Sequence, residues 1–84
     1  MQASQVTVTD AATLLFAARP YPRTILIHIA SGSIYIGNSN VTTSTGFKVD
    51  NGHNLEMELD ANTPLYGIAT GSTPTAYCLD TVSP

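Results

Sequence analysis

The sequence predicts an all-β domain, a small antiparallel β-sandwich or barrel of roughly seven to eight short strands. Three observations carry this prediction. Thr, Ser, Val and Ile are abundant, whereas the straight-chain helix formers Lys, Arg, Gln and Glu are few. Apolar and polar residues alternate over short runs, the period that sends successive side chains to opposite faces of a strand. Clusters of Gly, Pro, Asn and Ser separate these runs at regular intervals.

Along the chain, Gln5-Val6-Thr7-Val8-Thr9 alternates β-branched apolar and polar side chains, as a half-buried strand does. The same segment also suits an arm lent to a neighbour, with Val6 and Val8 as its contact residues, so residues 1–9 read as a strand, an arm or a swapped strand. Ala11 to Ala18 is apolar through Leu14, Leu15 and Phe16; its alanines permit helix, but its length fits a buried strand. Arg19-Pro20-Tyr21-Pro22-Arg23 breaks regular structure, because each proline fixes its own φ and pushes the preceding residue into an extended conformation. An exposed loop is expected there.

Thr24 to Ala30 is the clearest strand and is expected to be central in its sheet. Ile25, Ile27 and Ile29 share one face, and Leu26, His28 and Ala30 share the other. Ser31-Gly32-Ser33 reads as a tight hairpin leading back into Ile34-Tyr35-Ile36, and Gly37-Asn38-Ser39-Asn40 turns the chain again. Val41-Thr42-Thr43-Ser44-Thr45 reads as extended but weakly apolar, followed by Gly46-Phe47-Lys48-Val49, together an edge. Asn51-Gly52 suits a type I′ turn. In Asn54 to Asp60, Leu55, Met57 and Leu59 point inward while Glu56, Glu58 and Asp60 face water. Leu65 to Ala69 and Thr75 to Leu79 complete the strands, separated by the breaker Gly71-Ser72-Thr73-Pro74, and 81–84 reads as a frayed tail.

The 84 residues form one domain, 1–84, since two would leave neither enough apolar material for a core. Domains this small draw stability from disulfides, metals or neighbours, and the single cysteine, Cys78, excludes an internal disulfide. Homo-oligomerisation or docking onto a larger surface is therefore expected. With 11% charged residues and a net charge of −3, the composition argues against nucleic-acid and polybasic membrane contacts. No apolar run approaches the ~20 residues of a membrane span, and no basic, apolar, small-residue succession gives a readable secretion signal.

The residues capable of chemistry do not cluster in sequence, and no catalytic site, cofactor or metal is expected. His28 sits among isoleucines without a His or Cys at ligand spacing and reads as a satisfied or interfacial histidine. His53 follows a turn glycine and reads as solvated. Cys78 lies in an apolar strand and reads as an inert thiol. Glu56, Glu58 and Asp60 repeat with the period of any wet strand face. Asn40-Val41-Thr42 matches a glycosylation sequon and, without a signal peptide, reads as a chance match. Charge, an aromatic ring and stiffening prolines coincide only in the loop of Arg19, Tyr21 and Arg23, the combination that contact hot spots favour. That loop is the candidate protein-contact site.

The order of segments resembles the small β-sandwich proteins of tailed-bacteriophage virions, the capsid decoration (cement) and head-fibre type. The resemblance spans nearly the whole chain and rests on Ala12-Thr13-Leu14-Leu15, the Pro/Arg turn, Thr24-Ile25-Leu26-Ile27 and Ile34-Tyr35-Ile36-Gly37. It continues through Val41-Thr42-Thr43-Ser44-Thr45-Gly46-Phe47, a glycine hairpin, Leu55 to Leu59, and Leu65-Tyr66-Gly67-Ile68-Ala69. Two positions depart from it: Pro20-Tyr21-Pro22 replaces a more basic, glycine-containing turn, and His28 stands where an asparagine is usual. The resemblance implies a non-enzymatic virion protein on the outside of a phage capsid, with the major capsid protein as partner and a symmetric homo-oligomer, a trimer, as its form. The alternative is a receptor- or carbohydrate-binding module of a fibre or spike.

Overall fold

Ile25, Ile27 and Ile29 are each at most 1% exposed, while Leu26, His28 and Ala30 on the opposite face remain accessible. This alternation gives the strand Arg23–Ala30 one face on the core and one facing outward, and its pairing with two neighbours places it inside its sheet. The computed structural model describes residues 2–70 and 73–80. It contains the strands β1 (Gln2–Thr7), β2 (Thr13–Phe16), β3 (Arg23–Ala30), β4 (Ile34–Gly37), β5 (Phe47–Val49), β6 (Asn54–Leu59), β7 (Leu65–Ile68) and β8 (Thr75–Asp80). The first sheet has the order β1-β8-β3-β6 and the second β2-β7-β4-β5, all antiparallel.

The pairs β1–β8, β2–β7, β3–β6 and β4–β5 are those of one antiparallel ribbon whose tip is the β4–β5 hairpin. Rolling that ribbon brings β3 against β8 and β4 against β7, and closes two sheets around one core. Eight strands connected in this way make a jelly roll. Every consecutive pair of strands except β4–β5 changes sheet, so the loops of the chain are mostly arches over the sandwich ends.

The core joins Ile25, Ile27, Ile29, Ala76, Cys78 and Leu59 of the first sheet to Phe16, Ile34, Ile36, Val49 and Leu65 of the second. On β2 the register slips between Leu14 and Phe16, and this irregularity lets the consecutive residues Leu15 and Phe16 both turn inward. Gly46 is required by close approach: a Cβ there would lie 2.6 Å from Tyr35 Cβ and 2.8 Å from Val41 Cγ2.

The structure corrects several local expectations. Ser31-Gly32-Ser33 is not a hairpin between paired strands. It carries the chain from the first sheet to the second, with Ser31 at φ 70° and Gly32 at φ 143°. Asp50 to His53 likewise crosses between sheets. Gly52 has φ 81° but Asn51 lies outside the positive-φ region, so the turn lacks the two positive φ values of type I′. Residues 41–45 are not extended. Thr42 and Thr45 bond through their hydroxyls at 3.0 Å, and Thr45 N and Gly46 N both donate to Thr42 O. Local side-chain bonding has displaced the strand that composition favoured.

The N-terminal segment is strand β1, paired with β8 of its own chain from Gln2 to Thr7. Val8 and Thr9, expected to continue it, lie beyond the strand, and Val8 is 0% exposed in the core. Val8 therefore packs within its own subunit and not, in this conformation, against a neighbour. The expected breaker at 71–74 lies partly, and the expected tail at 81–84 wholly, outside the described residues.

Candidate partner-binding surface

Strand parity decides which side chains meet on the outside of the first sheet. The registers place Gln5, Tyr77, His28 and Asn54 in one row across β1, β8, β3 and β6. The next row is Ala3, Leu79, Leu26 and Glu56. All of these but Glu56 line an open groove of about 740 Å³, together with Ser4, Ile27 and Cys78. One row is apolar apart from its end at Glu56; the other supplies an aromatic ring, an imidazole and two amides.

His28 is held within this surface. Its Nδ1 lies 2.5 Å from Asn54 Oδ1, and its ring centroid is 6.1 Å from that of Tyr77 at an interplanar angle of 49°. The Asn54 carboxamide oxygen can only accept, so this contact fixes a protonated Nδ1 and leaves Nε2 for another partner. Tyr77 is 42% exposed and is the aromatic ring in the groove's lining.

Arg23, expected on the loop surface, is corrected by the structure to a buried position. It begins β3 at 3% exposure, with Nε 2.8 Å from Asp80 Oδ2 and Nη2 donating to the carbonyl of Ala17. Its charge is consumed internally by tying β3 to β8 and to the β2–β3 loop. Arg19 and Tyr21 remain half-exposed on that loop, and Arg19 O accepts a bond from Asn62 N at 2.5 Å, which anchors the loop to the β6–β7 arch. Arg19 also borders a small pocket of about 140 Å³ with Arg23 and Asp80. Of the expected contact residues, the structure therefore leaves Arg19 and Tyr21 accessible together, Val6 half-buried, and Arg23 and Val8 enclosed.

The other candidates for chemistry stay apart. His53 is exposed, as expected, and no group of three or more His, Cys, Asp or Glu capable of holding a metal ion occurs among the described residues. Cys78 is buried, and burial pushes its thiol up from 9.0 to about 11. It is a poor nucleophile at neutral pH. Glu56 and Glu58 face outward from β6, while Leu55 and Met57 point inward and are only partly covered.

No protein-family model, curated protein or solved structure matches the chain. The groove was missed in sequence because it depends on β1 pairing with β8 across nearly the whole chain. Its one local signal was the shared face of Leu26, His28 and Ala30.

Proposed function

We propose that this protein is a non-enzymatic structural component of a tailed-phage virion, a decoration or cement protein that binds the outside of an assembled capsid and stabilises it. The observation that carries the reading is the uncovered groove across the outer face of the first sheet. A flat slab of 34 × 23 × 16 Å whose groove sets exposed Ala3 and Tyr77 beside half-buried Leu26 and Leu79 has a surface suited to another protein. Two further supports are the overall resemblance to phage β-sandwich proteins and the jelly-roll connectivity, which capsid domains share. The latter is an argument by fold analogy.

The partner is the major capsid protein, and the protein acts as a homo-oligomer, a trimer, located on the capsid surface. A protein that binds only the assembled shell stabilises it by mass action. Arg19 and Tyr21, on the loop between β2 and β3, supply a second contact.

A second reading is favoured by one specific feature: exposed Tyr77 beside His28, Asn54 and Gln5. An aromatic face flanked by imidazole and amide groups is also what a sugar-binding module of a fibre or spike presents.

The two readings separate in co-sedimentation with purified empty capsids combined with light scattering. The capsid reading expects a discrete oligomer and saturable co-sedimentation. A folded monomer that ignores capsids but binds immobilised glycans would replace it with the second reading.

A further inference from the structure

The groove ends at β6, and β6 is an edge strand of the first sheet. Ile29 N donates to His53 O, and Ile27 pairs with Leu55 and Ile25 with Met57. In an antiparallel ladder the bonding direction alternates, so the backbone groups of Leu55 and Met57 turn toward β3. Those of Asn54, Glu56 and Glu58 turn outward with no strand to receive them.

The side chains along this edge are sorted by face. Leu55 and Met57 point into the sandwich and are only partly covered. Phe47 is 64% exposed on β5, the edge of the second sheet that leads into β6 through residues 50–53. This flank of the core is open. On the outer face, Glu56 and Glu58 carry two negative charges opposite Leu26 and Thr24, and the ion pairs among the described residues, Arg23–Asp80 and Lys48–Asp50, involve neither.

We propose that the edge of β6 takes up an extended segment of the protein partner as a fifth strand of the first sheet, a segment in which apolar and basic side chains alternate. The parity follows from the edge itself, since directly opposed residues share a face. Apolar residues of the incoming strand cover Leu55 and Met57, and its Lys or Arg residues face Glu56 and Glu58. A β6–β6 pairing with a second copy of this chain is disfavoured. Two β6 strands would oppose carboxylate to carboxylate, and the chain's three basic residues include the buried Arg23. The inference rests on the proposed partner-binding role and names the chemistry of the segment bound.

The test titrates the full-length protein with the fluorescein-labelled peptide Lys-Val-Lys-Val-Lys-Val, capped at both ends, and with its Glu-Val-Glu-Val-Glu-Val counterpart. Saturable binding of the lysine peptide alone is expected, weakening as salt is raised. The double variant Glu56→Lys with Glu58→Lys should lose about tenfold or more in affinity for the lysine peptide and gain the glutamate peptide. In the wild-type protein, the lysine peptide should slow amide hydrogen exchange at Asn54, Glu56 and Glu58, a readout that does not depend on the variant folding. Equal affinity for both peptides, or binding without protection of those three amides, would overturn the proposal. Capsid co-sedimentation of the same double variant distinguishes the two levels. Wild-type protein that ignores capsids removes the capsid reading, whereas variant protein that binds capsids normally removes only the β6 edge.

Discussion

The Arg23 guanidinium, with its side chain 1% exposed, sits with Nε 2.8 Å from Asp80 Oδ2, joining the first residue of β3 to the last of β8. An isolated buried cation is far costlier than the pair, so removing one partner should hurt more than removing both. Asp80→Ala is expected to lower unfolding free energy by about 3–5 kcal/mol, measured by urea denaturation. Arg23→Met combined with Asp80→Leu should recover most of that loss. A double variant as unstable as the single one would show that the pair is not what holds this corner.

Gly46 should not tolerate a side chain. An added Cβ meets Tyr35 and Val41 at distances that ordinary side chains do not show. Gly46→Ala is expected to cost about 1–3 kcal/mol through overpacking, with a lower thermal midpoint and an unchanged far-ultraviolet spectrum. An unchanged midpoint would mean that the 42–46 turn moves aside freely.

The buried Cys78 thiol titrates near 11, above its ordinary 9.0. Folding therefore holds its proton more tightly than the unfolded chain does. Its contribution to stability is complete below pH 9.0 and is lost as pH rises toward 11. A Cys78→Ala variant should lack this part of the alkaline slope. At pH 8 the native thiol should be alkylated about a hundredfold more slowly than in urea, as expected for a two-unit rise in pKa together with burial. Equal rates would contradict its placement in the core.

Residues 1–9 should matter to the subunit itself. β1 pairs along β8 and Val8 is wholly enclosed, so deleting 1–9 exposes β8 and opens the core. The truncated protein is expected to unfold at markedly lower urea concentration. Full stability with altered assembly alone would instead support a swapped arm.

Where the sequence was legible, local physics acted alone. The alternation in Thr24 to Ala30 located β3 and its central place, and that in Asn54 to Asp60 separated Leu55, Met57 and Leu59 from the carboxylates of β6. What local patterns misread were the long-range pairings within the chain. Ser31-Gly32-Ser33 and Asn51-Gly52 have the residues of hairpins, but turn composition does not specify whether the next strand stays in the same sheet. In a rolled ribbon most do not. Arg23 looked like a surface cation because its neutralising partner, Asp80, is distant in sequence. The threonines at 42, 43 and 45 have high strand propensity, yet the hydroxyls of Thr42 and Thr45 closed a turn. The candidate surface was half-visible: the face of Leu26 and His28 could be read, whereas Ala3, Gln5, Tyr77 and Leu79 join it only through long-range pairing.

The proposed contact with an assembled shell is the outer face of the first sheet. The most direct test compares saturable co-sedimentation with empty capsids for the wild-type protein and for Leu26→Gln combined with Tyr77→Ala, after matching thermal midpoints show both to be folded. Both substituted residues line the groove, and Tyr77 is exposed. Saturable binding of the wild-type protein is expected, with an affinity at least about tenfold weaker for the variant, as for the loss of a contact hot spot. Equal capsid binding by the two proteins, or none by the wild type, would contradict it.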